Sequence, residues 1–204
     1  IAIAALVLFA LALVSKASVK DIGGNFIARI QIKDVIEDDK ERDRKLKEIV
    51  ENNHIKAVIV HIDSPGGTLF GGETLYYSIK EIKEKKPVVV VMNTLATSAA
   101  YMAALPSNQI FARKGTLTGS IGVLMQTAEV TELTDKLGVK VKIMKSGPLK
   151  GEPSFFQRMT PEVEKSVQDL IDDSYNYFVD LVTEQRKIPR EEVVFFLLFL
   201  NLYQ

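Results

Sequence analysis

Four short segments carry residue types that could do chemistry. The first is Asp63-Ser64-Pro65-Gly66-Gly67, directly after a β-branched run. Its glycines let the backbone turn sharply and expose N–H groups, which can hold a developing oxyanion. The same residues also make a plain strand-to-helix turn. The second is Ala96-Thr97-Ser98-Ala99-Ala100-Tyr101. A serine among such small neighbours can be approached closely by a substrate, and the N–H of Ala99 would face the same space. A helix start there adds partial positive charge. The bland alternative is an N-cap serine on a packing helix.

The third segment, Gly115-Thr116-Leu117-Thr118-Gly119-Ser120-Ile121-Gly122, is rich in glycine and hydroxyls. It lacks the pattern of a phosphate loop, and alone it reads as a pair of turns. The fourth, Lys145-Ser146-Gly147-Pro148-Leu149-Lys150-Gly151, holds lysines in a Gly/Pro-bounded loop. Such lysines are ordinarily solvated. His61 precedes the first segment and reads as a satisfied histidine beside the core. Asp63 reads as a turn residue accepting backbone N–H bonds.

The elements that must position these segments follow from periodicity. Alternating or β-branched runs predict strands over 26–33, 55–62, 87–92, 109–112, 121–126 and 139–144. Helical spacing predicts helices over 38–50, 71–84, 97–105, 129–137 and 161–185. Thr160 is the expected N-cap of the last, with Pro161 at its first position, and Gly138 the expected C′ glycine after 129–137. Strands alternate with helices, and several strands are apolar on both faces. This predicts an α/β fold with a buried, mostly parallel sheet.

Composition removes other classes. The 204-residue chain balances 26 Lys and Arg against 26 Asp and Glu, so no basic field favours nucleic acid. There are no cysteines and two histidines, which excludes thiol catalysis and disulfides and argues against a multi-histidine metal site. No cofactor or metal is expected. Residues 1–14, IAIAALVLFALALV, are uniformly apolar and are followed by Lys16 and Lys20. The run is shorter than the ~20 residues that span a bilayer. A truncated transmembrane anchor is the favoured reading; a signal-peptide core and a buried helix are the others. The expected organisation is an anchor or signal segment over 1–15, a linker over 16–25 and a catalytic domain over 26–204. The tail 193–202 is apolar but too short to span a membrane alone.

In order, SPGG, a small-residue serine helix, GSIG and SGxxK resemble the signal peptide peptidase A family, within the wider Clp/crotonase fold group. The resemblance runs from about residue 26 to 185. It implies a Clp/crotonase-like superhelix of ββα units behind an apolar anchor. It also implies a Ser–Lys serine endopeptidase that degrades cleaved signal peptides and other apolar segments. By this resemblance Ser98 is the nucleophile and Lys150 the base. Gly66 or Gly67 with Ala99 forms the oxyanion hole, and Ser120 orients the lysine. The resemblance further implies a homo-oligomer and a catalytic domain outside the cytoplasm.

The chemistry is consistent with this. A serine hydroxyl needs an adjacent base, and no histidine lies in the four segments. A lysine serves only when neutral. Lowering the ordinary value of about 10.4 to the roughly 7–8 of a working base is equivalent to about 4 kcal/mol, which desolvation must supply. Leu149, Phe155 and Phe156 are apolar neighbours in the sequence, while Glu152 could pair with the lysine and keep it charged. Two departures stand out. Ala99-Ala100 replaces the Gly-Gly common after the nucleophile, and the chain ends in VVFFLLFLNLYQ where the family usually continues with a Gly-rich segment and a helix. An inactive membrane scaffold is therefore one alternative. A crotonase-like acyl-CoA enzyme is another, though it would need catalytic carboxylates in its pocket.

Overall fold

The computed structural model describes residues 24–194. The apolar run at 1–14, and with it the expected anchor, lies outside the described residues, as does most of the apolar tail. Among the described residues no helix is long and apolar enough to cross a membrane.

Five parallel strands form one sheet. β1 (Phe26–Ile36), β2 (Ile55–Gly67) and β3 (Val88–Thr97) lie side by side in chain order. The other edge of β3 takes β4 (Gln109–Phe111) along Val89–Val91 and β5 (Leu117–Gly119) along Leu95–Thr97. Helices fill the crossovers, because parallel neighbours cannot be joined by tight hairpins. These are α1 (Lys40–Glu51), α2 (Leu69–Lys85) and the short α3 (Ala99–Ala104).

The inward side chains of β2 and β3, including Val58, Val60, Ile62, Val88 and Val90, pack against Leu46, Leu75, Ile79 and Ile82 from the helices. Burying each such side chain is worth about 1.5–3 kcal/mol. Lys86 is almost wholly buried, and its ammonium donates to the carbonyls of Ile49 and Asn52, closing the C-terminal end of α1.

A second core joins α5 (Pro161–Arg186) to this layer through Phe178, Val179 and Val182, against Tyr76, Met102 and Leu105. Thr160 caps α5 by accepting from Val163 N, with Pro161 in the first turn as expected. The Tyr177 hydroxyl donates to Glu73 Oε1 at 3.0 Å and ties α5 to α2.

Three differences from the sequence reading have physical causes. β2 and β3 continue through 63–67 and 93–97, segments read as turn and connection, because irregularities in the ladder let them extend while changing register. β5 arises inside the Gly- and hydroxyl-rich segment because the end of β3 offers a free edge. Residues 121–126 and 139–144, expected as strands, are irregular. An apolar alternating run becomes a strand only when a partner satisfies its backbone, and here neither pairs among the described residues. They belong to an exposed arm over 120–160 whose helix, α4 (Thr131–Lys136), has no buried residue. Gly138 ends α4 with φ +70°, as expected for a C′ glycine.

Candidate active site

The carboxyl ends of β2, β3 and β5 meet at Ser98. The ladder sets Ser64 beside Ala96, and Thr97 beside Gly119. Thr97 Oγ1 donates to Pro65 O at 2.9 Å, and Ser98 N donates to Gly119 O at 2.8 Å. The SPGG segment, the serine and the GSIG segment are thus fixed to one another, by the Thr97 hydroxyl on one side and a backbone bond on the other.

Ser98 holds φ 54° and ψ −126°, a conformation that costs a non-glycine residue about 1–3 kcal/mol and persists only where the surroundings impose it. It occupies the N-cap position of α3, yet its side chain makes no capping bond. The bland reading of this serine is therefore not what the fold uses. Ser98 is half-buried, and Ala99, as the first residue of α3, has no helical acceptor for its N–H.

Gly66 presses on this turn from β2. It has φ +103°, and a Cβ there would lie 2.8 Å from Ser98 Cβ and 3.0 Å from Ala99 N. Its own N–H donates to Ser64 Oγ at 3.1 Å. The hydroxyl of fully buried Ser64 donates to Asp34 O at 2.5 Å and so braces the β1–β2 irregularity at Asp34, where φ is 58°. Gly67 lies against β1, where a Cβ would come within 1.9 Å of Ile36 O. Asp63 accepts from Leu95 N at 3.1 Å, serving the neighbouring strand rather than its own turn. His61 is half-buried in β2 between its ladder partners Gln31 and Val91, and is not part of this cluster.

Ser120 directly follows the Gly119 carbonyl that binds Ser98 N, and it too has a positive φ, 50°. Lys150 lies in a turn of the exposed arm, its N–H donating to Gly147 O at 3.2 Å. No hydrogen bond joins its ammonium to any described residue, Ser98 included. Glu152 does not pair with Lys150. It accepts from Lys145 Nζ at 2.5 Å and from Ser154 N at 2.9 Å, and the Lys145 bond holds its carboxyl below the ordinary 4.5. Gly66, Ser98, Ala99 and Gly119 therefore come together, with Gly67 and Ser120 as their chain neighbours, and Lys150 is exposed with no counter-charge among the described residues. Among the described residues no three His, Asp or Glu side chains gather as a metal site.

Two residues of this site were not singled out from sequence. Ser64 reads there as an ordinary turn hydroxyl. Gly72 is the second of two glycines in a helical segment, where each costs about 1 kcal/mol relative to alanine, and that cost is the signal that a glycine serves packing.

The site is thus a strained, uncapped serine held between two glycine-rich strand ends of a parallel α/β sheet. The chain belongs to peptidase family S49, whose family model matches residues 80–196, more than half of its length. It is 32% identical over 140 residues to Protease 4 of Salmonella typhi and 30% identical over 150 residues to the chloroplastic serine protease SPPA of Arabidopsis thaliana. These alignments cover 68% and 73% of this chain and 22% of each relative. A Synechocystis protein is 38% identical over 149 residues, 73% of this chain and 54% of its own. The chain spans about half the length, or less, of the curated relatives it matches. The fold resembles a ClpP1 variant from Listeria monocytogenes, with TM-score 0.50 and 17% identity over 81% of this chain and 76% of that one.

Proposed function

We propose that this protein is a serine endopeptidase working through a Ser98–Lys150 dyad, with apolar peptides such as cleaved signal peptides as substrates. The observation that carries the proposal is Ser98 itself, a serine held at strained φ whose hydroxyl caps nothing. Membership of a peptidase family supports the same reaction.

In this mechanism Ser98 Oγ attacks the scissile carbonyl carbon while neutral Lys150 takes the hydroxyl proton. The N–H groups of Gly67 and Ala99 receive the oxyanion; Gly66 is left out because its N–H already serves Ser64. Lys150 passes its proton to the leaving amine, and the acyl-enzyme forms. Lys150 then deprotonates water, which releases the acid and returns the proton to Ser98. Ser120 holds the lysine in line.

Lysine must lose its charge to do this, so the arm has to leave water. Leu124 and Met144 are 83% and 85% exposed in the single chain, and Leu149, Phe155 and Phe156 beside the lysine are exposed as well. Packing the arm against a further copy of the chain would bury these residues and desolvate Lys150. A homo-oligomer is therefore part of the proposal. So are attachment to a membrane through residues 1–15, a linker over 16–25, a catalytic domain from 26 onward and a location outside the cytoplasm. The full Clp/crotonase-like superhelix of ββα units is proposed on the same basis.

Hydrolysis of a fluorogenic apolar peptide tests this function. The parent protein should cleave it and Ser98→Ala should not, at equal thermal stability. A parent that assembles and still cleaves nothing indicates the inactive scaffold instead, and saturable binding of an acyl-CoA thioester without cleavage indicates the crotonase-like alternative.

A further inference from the structure

Gly72 lies in α2, buried, with ordinary helical backbone, so nothing in its conformation demands glycine. What demands it is Ala99. A Cβ at Gly72 would lie 2.8 Å from Ala99 Cβ, 3.1 Å from Ala99 Cα and 3.4 Å from Ala99 O. Carbon atoms in good contact sit about 3.5–4.0 Å apart. All three nearest atoms belong to the residue after the nucleophile.

The preceding glycine behaves differently. A Cβ at Gly71 would first meet Glu37 O and Thr68 Oγ1, each at 3.0 Å, and its three nearest atoms include none of the Ser98 turn. The turn is therefore held between two positions without side chains: Gly66 against Ser98 Cβ, and Gly72 against Ala99 Cβ.

α2 is poorly placed to give way. Thr68 caps its start by accepting from Gly71 N at 3.0 Å, and Glu73, next to Gly72, is tied to Tyr177 of α5. α3 has only six residues and begins at the strained Ser98. A methyl at Gly72 would thus displace the Ser98–Ala99 step rather than α2.

We infer that Gly72 is a positioning residue: its missing side chain accommodates the Ala99 methyl and sets where the Ser98 hydroxyl and the Ala99 N–H stand. This rests on Ser98 being the nucleophile and adds a requirement of size complementarity between α2 and the turn. A misplacement of about 1 Å at a reacting group can cost 10²-fold in rate. Gly72→Ala should therefore lower kcat on an apolar peptide by about 100-fold, with KM changed by less than roughly threefold, because the defect lies in the transition state.

The test transfers the methyl across the contact. In Gly72→Ala with Ala99→Gly one methyl is gained and one lost, and kcat should recover by at least about tenfold over the single variant. Gly71→Ala, the same change one residue earlier, should keep kcat within roughly threefold. The inference is overturned if Gly72→Ala keeps parental kcat, if the double variant is as slow as the single, or if Gly71→Ala is as damaging as Gly72→Ala. Should Gly72→Ala alone not fold, the double variant decides: folded and active supports the inference, while unfolded or inactive overturns it. Failure of the nucleophile assignment is read separately, as activity surviving in Ser98→Ala.

Discussion

Lys150→Ala is expected to lower kcat on an apolar peptide by about 10²–10⁴-fold, the share general acid–base catalysis contributes. Its unfolding free energy should stay within about 0.5 kcal/mol of the parent, as for surface substitutions away from structural features. In the single chain Lys150 is exposed and bonded through its side chain to no described residue, so its removal breaks no fold contact. Lys150→Arg should be as inactive as Lys150→Ala, because a guanidinium cannot give up its proton to act as a base. Lys145 offers the contrast. Its Nζ is already engaged, donating to Glu152 Oε1 and Gln157 Oε1. Lys145→Met should therefore retain most activity. Peptide kinetics beside denaturant unfolding check all three variants. Full activity in Lys150→Ala with loss in Lys145→Met would move the base five residues upstream.

Gly67→Ala is expected to be the most damaging single-methyl change near the site. The added Cβ would stand 1.9 Å from Ile36 O and 2.6 Å from both Ile36 C and Ile36 N. These are main-chain atoms of a ladder partner, which cannot rotate aside as a side chain would. Overpacking of this kind costs typically 1–3 kcal/mol and occasionally more; about 3 kcal/mol or outright failure to fold is expected here. Gly115→Ala is the matched control, since nothing lies within 4 Å of its added methyl. Denaturant midpoints measure both. A Gly67→Ala protein as stable as the parent would mean that β1 and β2 are not packed as described.

The pattern of the chain made the frame legible. β-branched runs at 55–62 and 87–92 announced buried parallel strands, and the Thr160–Pro161 signal placed the start of the long helix. Segment order, rather than any one segment, pointed to Ser98, Gly66, Gly67, Ala99 and Ser120. What stayed hidden depends on tertiary neighbours. The bracing of the first loop by Ser64 spans thirty residues, and the fit of Gly72 to Ala99 joins two helices. Neither leaves a periodic trace. The runs at 121–126 and 139–144 carry strand-like sequence, but strands are defined by pairing, and no partner pairs with them among the described residues. The same exposure leaves Lys150 in water, so a lysine marked by its loop and by family resemblance is not yet in the setting its chemistry needs.

A nucleophilic Ser98 should react with a fluorophosphonate probe. The protein, assembled as it purifies, is treated with the probe, digested, and the modified residue located by mass spectrometry. One adduct is expected, on Ser98, absent in Ser98→Ala and strongly slowed in Lys150→Ala. An adduct on a different serine, or none on folded and assembled protein, would contradict Ser98 as the nucleophile.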